Sequence, residues 1–255
     1  MWDPELYGRF ADQRNRPFHE LVARIGATAP TQVVDLGCGD GALTATLADR
    51  WPAASVVGVD SSEEMLAPAS ARRSDQLSFV AERIEDWRPT GLVDVLVSNA
   101  ALQWVSRHLS LLPRFVSALA PGGWLAIQVP GNFEAPSHTT LRALCDSPRW
   151  SGRVGTAGRW SSTPTPSQYV DTLASLGCAV DAWETTYAQV LQGTDPVLTW
   201  MRGTALRPVY ARLSAEEAAE FETELGAMLR EAYPPQPYGT VLPFRRIFAV
   251  AQAPV

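Results

Sequence analysis

The feature that most constrains the fold is a short apolar run that leads into three glycines at alternate positions. The stretch reads VVDLGCGDGALT from Val33 to Thr44. A β-branched run predicts a strand, and clustered glycines predict a turn that lets the backbone approach a ligand closely. The following segment, GALTATLADRW, has helical spacing, with Leu43 and Leu47 on one side. Together they predict a strand, a binding loop and a helix.

The same alternation of strand and helix continues along the chain. Further strand-like segments begin at Ala54, Leu77, Val93 and Gly122, and helical patterns lie between most of them. Such alternation implies right-handed crossovers and a doubly wound, mostly parallel sheet. The strands are almost continuously apolar, which suits a sheet that is covered on both faces. The chain is therefore predicted to be an α/β protein.

Three segments are additions to this sheet in a chain interpreted as a single domain over residues 1–255. Residues 1–28 have a helical pattern and are predicted to form N-terminal cap helices. Residues 130–166 are rich in Gly, Pro, Ser, Arg and Trp, which predicts an irregular insertion over a site. Residues 194–236 contain two or more predicted helices. The last two segments are expected to act as lid insertions, and TVLPFRRIFAVAQ is predicted to be the final strand.

Composition limits the partners of the chain. Its formal net charge is −6, which disfavours nucleic acid because such a partner needs a concentrated basic surface. No apolar stretch approaches the length of a membrane span, and the N-terminus lacks the pattern of a secretion signal. The three cysteines are far apart and the three histidines stand alone, so neither disulfides nor a metal site are expected. The protein is predicted to be soluble and cytoplasmic, without a membrane partner.

The glycine loop fits two kinds of ligand. Gly37, Gly39 and Ala42 satisfy the G-x-G-x-x-A pattern of a dinucleotide site. Asp35 and Gly41 extend the pattern to D-x-G-x-G-x-G. A pyrophosphate at a helix N-terminus favours N–H donors and no neighbouring carboxylate, whereas S-adenosylmethionine carries a cationic amino group that suits an acid. The loop therefore favours S-adenosylmethionine over a dinucleotide.

The run from Val33 to Leu66 resembles the class I S-adenosylmethionine-dependent methyltransferases, as do the segments VDVLVSNAALQWV and LAPGGWLAIQVP in that order. The resemblance implies a Rossmann-like seven-stranded sheet with an antiparallel last strand. It also implies S-adenosyl-L-methionine as cofactor, bound over the carboxyl ends of the strands, and S-adenosyl-L-homocysteine as product. One departure is Arg83, which stands where the family often has an acid for the adenine amine.

Candidate cofactor residues follow the predicted strands. Asp60, after the second strand, is expected to accept both ribose hydroxyls, with an ordinary helix N-cap as the alternative. Met65 is expected against the adenine or in the core. The adenine contact is assigned to backbone around Ile84 or to Glu85 and Asp86. The predicted cofactor-binding set is Asp35, Gly37, Gly39, Gly41, Asp60, Ser61, Met65, Ile84, Glu85 and Asn99.

Stretches outside the core, among them VPGNFEAPSH and GTALRPVYARLS, resemble family members that form a methyl ester on a small polycarboxylate. A carboxylate is already ionised at neutral pH, so no catalytic residue is required as a general base. The site must hold a carboxylate oxygen in line with the methyl group. Cationic and hydrogen-bonding anchors are expected for the other carboxylates, and the predicted substrate-binding set is Tyr7, Arg14, Gln103, Trp104, Asn132, His138, Arg207 and Arg246.

Several of these assignments have structural alternatives. Arg207 precedes a proline and is expected at a helix end. Arg246 lies between two phenylalanines at period two, where a charge needs a partner. A structural salt bridge is an equally good interpretation of each arginine. Trp104 either lines the site beside the reacting methyl group or simply packs against other side chains. His138 is interpreted as a loop histidine.

Three other functions stay open at the level of sequence. The first is methyl transfer to a different small-molecule acceptor, such as a fatty acid, a phenol or an amine. The second is dinucleotide-dependent oxidoreduction, because the glycine pattern alone permits it. The third is binding of the cofactor without turnover.

Overall fold

A computed structural model describes residues 11–157 and 162–255. The chain divides into two compact units. The sheet unit comprises residues 14–130, 163–185 and 246–255, and within the described residues the helical unit comprises 11–13, 131–157, 162 and 186–245. Tyr7 and the side chain of Arg14 lie outside the described part of the chain.

The predicted seven-stranded α/β sheet is confirmed. The strands are β1 Gln32–Leu36, β2 Ser55–Asp60, β3 Leu77–Ala81, β4 Val93–Asn99, β5 Leu119–Pro130, β6 Ala179–Leu191 and β7 Thr240–Gln252. They lie in the order β3-β2-β1-β4-β5-β7-β6. β1 pairs in parallel with β2 and β4, whereas β7 is antiparallel to β5. The strand order reverses beside β1, which is where open α/β sheets bind their ligands.

Helices alternate with the first strands and dominate the later part of the chain. Short 3₁₀ helices at Leu102–Trp104 and His108–Leu111 follow β4. Within the described residues the α-helices are α1 Ala11–Val22, α2 Ala42–Arg50, α3 Glu63–Ser70, α4 Leu112–Ser117, α5 Pro136–Cys145, α6 Ser151–Val154, α7 Pro166–Ser175, α8 Pro196–Arg202, α9 Arg207–Tyr210 and α10 Ala215–Ala232.

Each unit has its own apolar core. In the sheet unit, β1 and β4 contribute buried Val and Leu side chains, which agrees with strands covered on both faces. On α2, Leu47 is buried, but Leu43 is only half-buried and Thr44 takes the second inward position. In the helical unit, Trp150 of the loop before α6 packs edge-to-face on Phe221 of α10 at a centroid distance of 5.2 Å.

The prediction of an irregular insertion over residues 130–166 is wrong, because α5 and α6 lie within it. Pro136 occupies the first turn of α5, where a missing backbone N–H costs nothing. The Gly- and Pro-rich composition therefore marks the ends of these helices rather than their absence. Leu141 and Leu144 point into the core of the helical unit, which is the apolar face that stabilises α5.

Candidate functional site

The loop between β1 and α2 is built on glycines in the left-handed region. Gly37, Gly39 and Gly41 have φ values of 83°, 57° and 73°. At Gly37 an added Cβ would lie 2.1 Å from the Cβ of Ala101, so no larger residue fits. The backbone N–H groups of Gly37 and Cys38 both donate to the Val59 carbonyl, at 2.7 and 3.0 Å. The loop is thereby fixed against the end of β2.

Three further N–H groups of the loop also donate within the protein. The N–H of Gly39 donates to Asp60 at 2.9 Å, that of Gly41 to the Cys38 carbonyl at 3.1 Å, and that of Ala42 to Asp40 at 3.1 Å. A dinucleotide site depends on such N–H groups facing a pyrophosphate. Here five of the loop N–H groups, those of Gly37, Cys38, Gly39, Gly41 and Ala42, already have acceptors within the protein, which leaves fewer donors for an anionic ligand.

Asp60 is held in place by the backbone on both sides. Its Oδ2 accepts the Gly39 N–H and its Oδ1 accepts the Ser62 N–H, each at 2.9 Å. A carboxylate has about four acceptor positions, so two are left for further donors. The N-cap of α3 is Ser62, whose hydroxyl accepts the Met65 N–H at 3.3 Å. The alternative that Asp60 is an ordinary N-cap is therefore wrong. Ser61, between them, is exposed.

Asp35 is a buried acid with one neutral partner. Its side chain is 3% exposed, and its Oδ2 accepts a 2.7 Å hydrogen bond from the hydroxyl of Thr44 on α2. Burial raises the pKa of Asp35 to about 6; the Thr44 hydrogen bond opposes the rise and the charge of Asp60 adds to it. Asp35 is thus largely ionised at pH 7, and within the described residues no arginine pairs with it. A buried negative charge of this kind suits a cationic ligand.

Sequence reasoning missed Thr44. The sequence does indicate it, because Thr44 occupies an inward position in the first turn of the helix that follows β1. A side chain at that position lies next to the carboxyl end of β1. Met65, by contrast, is half-buried over the loop, with its Cε 3.2 Å from the position of a Cβ on Gly39. This position is compatible with both predicted roles of Met65.

The departure at Arg83 has a local explanation. Arg83 forms exposed ion pairs with Glu85 at 2.9 Å and Asp86 at 3.6 Å. The pKa of Glu85 is lowered by a hydrogen bond from its own backbone and by Arg83. The carbonyls of Ile84 and Glu85 accept hydrogen bonds from Arg114 at 2.9 and 2.8 Å. These contacts hold the segment rigidly, and Arg83 is neutralised by its neighbours.

Polar side chains line one face of the sheet near the carboxyl ends of the parallel strands. Residues paired across neighbouring strands share a face, as do residues two apart on a strand. Asp35, for example, pairs with Gly58 on one side and Val97 on the other. Following the register through β2, β1, β4, β5 and β7 places five polar residues on this face, in the order Asp60, Asp35, Asn99, Gln128 and Arg246.

The charge on this polar face changes sign across the sheet. Arg246 on β7 is 5% exposed, and its Nη1 lies 3.4 Å from the Oε1 of Gln128. Asn99, on the strand between the acids and Gln128, has a buried side-chain oxygen without a hydrogen-bond partner among the described residues. The face is therefore acidic on β2 and β1, neutral on β4 and β5, and basic on β7.

Gln103 and Trp104 lie in the 3₁₀ helix that follows β4. The Gln103 Nε2 donates to the Ala100 carbonyl at 2.6 Å, and its Oε1 is buried with no partner in the described part of the chain. Trp104 is 57% exposed. Trp104 is therefore not a core residue, and its predicted position beside the reacting methyl group stays a prediction.

The other acceptor candidates belong to the helical unit. Asn132 is buried, and its amide both donates to the Arg245 carbonyl at 3.0 Å and accepts the Arg245 N–H at 2.8 Å. His138 lies in the first turn of α5, so its interpretation as a loop histidine is wrong. Burial lowers the pKa of His138 to about 4, with the charge of Arg142 adding to the effect. Arg207 begins α9, as predicted, is exposed, and forms no ion pair within the described residues.

Two features of the described ranges, 11–157 and 162–255, concern metal ions and membranes. No group of three or more His, Cys, Asp or Glu side chains there is arranged to hold a metal ion. No helix in these ranges combines the length and apolar composition that a membrane span requires.

Comparison with known proteins relates this chain to methyltransferases. A family profile described as a methyltransferase domain matches residues 33–123. A trans-aconitate 2-methyltransferase of Rhodococcus jostii (strain RHA1) is 52% identical over 255 residues, which covers 99% of this chain and 99% of that protein. Identity at this level over the full length extends well beyond the glycine loop.

Solved structures show the same fold at low identity. The YcgJ protein from Bacillus subtilis matches with a TM-score of 0.62 and 14% identity, over 94% of this chain and 99% of that chain. The plantazolicin methyltransferase BpumL, solved in complex with a monoazolic analogue and S-adenosylhomocysteine, matches with a TM-score of 0.54 and 13% identity, over 99% and 90%.

Proposed function

Because the chain belongs to the trans-aconitate 2-methyltransferase family of class I S-adenosylmethionine-dependent methyltransferases, we propose that it forms a methyl ester on a carboxylate of trans-aconitate. S-Adenosyl-L-methionine is the methyl donor and S-adenosyl-L-homocysteine the product. The observation that carries the proposal is the change of charge along the polar face, from Asp60 and Asp35 to Arg246. A cationic donor suits the acidic end, and an anionic acceptor suits the basic end.

The residues at the acidic end fit the proposed donor. Asp60 offers two acceptor positions to ribose hydroxyls, Asp35 offers a buried negative charge to the amino group, and Asn99 offers an unsatisfied oxygen. All three groups accept hydrogen bonds, which matches a ligand with hydroxyl and ammonium donors. When bound, S-adenosylmethionine supplies an electrophilic methyl group. A dinucleotide fits poorly, because a buried carboxylate, Asp35, lies at the loop and most of the loop N–H groups already have acceptors within the protein.

The residues at the basic end need only bind and orient the acceptor. A carboxylate is already ionised at pH 7, so an acceptor of this kind would need no residue of the chain to remove a proton before it takes up a methyl group. His138, with a pKa of about 4, is a weak base, which agrees with a reaction that needs none. We propose Arg246 and Arg207 as anchors for carboxylates, because a guanidinium binds a carboxylate at two points.

An acceptor panel with labelled methyl donor tests the proposal. The panel contains trans-aconitate, a fatty acid, a phenol and an amine. We expect labelled product with trans-aconitate, and we expect mild base to release the label because a methyl ester hydrolyses where an aryl ether or N-methyl group does not. Calorimetry with S-adenosylhomocysteine and with NAD(P)H is run in parallel. Binding of NAD(P)H alone, or a base-stable product with another acceptor, would refute the assignment.

Arginine variants test the substrate part of the proposal. We expect Arg246→Ala and Arg207→Ala each to raise KM for trans-aconitate by tens to thousands of fold, about 2 to 4 kcal/mol for a charge pair. Arg246→Lys should restore only part of the loss. Arg245→Ala is the matched control for Arg246, because adjacent residues of a strand point to opposite faces. Unchanged KM in both variants would remove these arginines from the site.

We also propose a cytoplasmic location and no nucleic-acid partner. Cys38, Cys145 and Cys178 are free, buried thiols, and free thiols persist in a reducing compartment. The net charge of −6 opposes binding to a polyanion. Fractionation of the native host, with an antibody against the chain, checks the location.

A further inference from the structure

Gln128 is a polar residue in an unusual place. It lies on β5 and its side chain is fully buried. The residues that precede and follow it, Ile127 and Val129, are also fully buried. A buried amide is costly unless both its oxygen and its nitrogen are hydrogen-bonded. The position of Gln128 on the polar face therefore needs an explanation.

The orientation of the Gln128 amide is fixed by its neighbour. The Oε1 lies 3.4 Å from the Nη1 of Arg246. A guanidinium only donates hydrogen bonds, so the oxygen and not the nitrogen must face it. The Nε2 then points elsewhere, and it is buried without a partner among the described residues.

The unsatisfied donor has an unsatisfied acceptor beside it. Asn99 is the register partner of Gln128 on β4, and its Oδ1 is also buried without a partner in the described ranges. The two groups are complementary, yet they do not bond to each other. Buried polar groups in folded proteins are satisfied by protein, solvent or ligand. An adjacent donor and acceptor that both lack partners indicate a site that is completed by another molecule.

We propose that Gln128 is an acceptor-binding residue, whose Nε2 donates a hydrogen bond to a carboxylate oxygen of the substrate beside Arg246. That the acceptor is trans-aconitate rests on the proposed function, whereas the assignment of Nε2 as the hydrogen-bond donor rests on the geometry of the Gln128 amide. A neutral amide donor next to a guanidinium holds a carboxylate in one orientation, because the two groups contact different oxygens or different lone pairs. Gln128 lies between Asn99 on β4 and Arg246 on β7, so the carboxylate that it holds lies on the cofactor side of Arg246.

Two substitutions change the donor in different ways. Gln128→Met keeps the length of the side chain and removes both amide groups. Gln128→Glu replaces the donor by an anion that competes with the substrate for Arg246. Gln189→Met is the matched control, because Gln189 on β6 is also buried and also has an unsatisfied amide atom among the described residues. Each variant is measured in the full chain for kcat, KM, S-adenosylhomocysteine Kd and Tm.

We expect Gln128→Met to raise KM for trans-aconitate about 10- to 100-fold, the scale of one hydrogen bond to a charged group. The S-adenosylhomocysteine Kd should change by less than about threefold. Gln128→Glu should raise KM further, because its charge repels the acceptor. Gln189→Met should leave KM unchanged.

The remaining outcomes overturn the inference. Wild-type KM in a folded Gln128→Met or Gln128→Glu protein shows that the amide does not contact the acceptor. A parallel loss of Tm and cofactor affinity in both variants, with KM following, assigns Gln128 a structural role. If the wild type binds S-adenosylhomocysteine but does not methylate trans-aconitate, the proposed function fails separately. The same comparison then uses the best acceptor of the panel, and a best acceptor without a carboxylate overturns the inference too.

Discussion

Replacing Asp35 by asparagine should weaken the cofactor site and stabilise the free protein at the same time. The carboxylate is buried, and its pKa is raised from an ordinary value of 3.8 to about 6. At pH 7 the folded protein therefore holds a charge that burial disfavours. Asparagine removes the charge and keeps an oxygen that can accept the Thr44 hydrogen bond. The stability of the free protein and its affinity for the cofactor should thus change in opposite directions.

The sign and size of the expected stability change follow from the pKa of Asp35. An acid whose pKa is raised on folding binds its proton more tightly in the folded state, so the free energy of unfolding falls as the pH rises through the window from about 4 to 6. At pH 7 the buried Asp35 charge lowers the free energy of unfolding by about 3 kcal/mol, which corresponds to a pKa shift of roughly two units. This destabilisation decreases as the pH falls below 6. Asp35→Asn should remove this destabilisation, but part of the gain is offset because the new amide nitrogen is buried with no acceptor shown among the described residues, so the Tm at pH 7 should rise by only a few degrees.

Cofactor affinity should show the opposite pattern. A group with a pKa of about 6 is roughly nine-tenths ionised at pH 7 and one-tenth ionised at pH 5. Wild-type affinity for S-adenosylhomocysteine should therefore fall about tenfold between these pH values. Asp35→Asn should bind about 10- to 100-fold more weakly at pH 7, and its affinity should be independent of pH in this range.

Thermal unfolding and calorimetry at pH 5, 6, 7 and 8 measure both effects. Asp94→Asn is the control, because Asp94 lies near the opposite end of the sheet. Although burial opposes it, backbone hydrogen bonds from Thr31 and Gln32 lower the pKa of Asp94. Asp94→Asn should therefore lower the Tm at pH 7 and leave cofactor affinity unchanged. A lower Tm for Asp35→Asn, or wild-type affinity in that variant, would refute the reasoning.

Two further predictions concern the cofactor and the acceptor. Asp60→Ala should weaken S-adenosylhomocysteine binding by about 1.5 to 3 kcal/mol, because it removes the proposed ribose acceptor and the carboxylate that holds the Gly39 N–H; calorimetry of a folded variant with normal affinity would contradict this. At saturating substrates the rate should stay nearly flat from about pH 7 to 9, because the acceptor is already ionised and His138 is neutral there. A stopped assay that shows a steep rise with a single pKa near 7 to 8 would indicate a general base, and hence a hydroxyl or amine acceptor.

The proposed cofactor half of the site could be singled out from sequence because its residues are close together in the chain. The glycine loop, Asp35 and Asp60 lie within about thirty residues, and the order of strand, loop and helix fixes their spacing in space. Asp60 illustrates the limit of that reasoning. Sequence could not separate a ribose ligand from a helix N-cap, whereas the structure shows Ser62 in the capping position. Local patterns thus identify a residue more reliably than they identify its hydrogen bonds.

The acceptor half depends on contacts between distant segments, which local patterns do not carry. His138 was expected in a loop because Gly and Pro surround it, but Pro136 begins a helix there and burial keeps the histidine neutral. Arg246 could be singled out as a charge on an apolar strand. Its neighbour Gln128 could not, because only the antiparallel register of β7 against β5 brings the two side chains to the same face.

The strand order explains why the two halves differ in this way. Along the chain the polar residues run Asp35, Asp60, Asn99, Gln128 and Arg246, but across the sheet Asp60 comes first, because β2 lies outside β1. The acidic end is set by the first two strands and their loop, while the basic end is set by β7, which is inserted between β5 and β6. A substitution at Gln128 or Arg246 would therefore change the polar groups at the proposed acceptor end and leave the residues of the glycine loop as they are. One sheet can in this way keep its cofactor site while strand positions far along the chain determine which acceptor it binds.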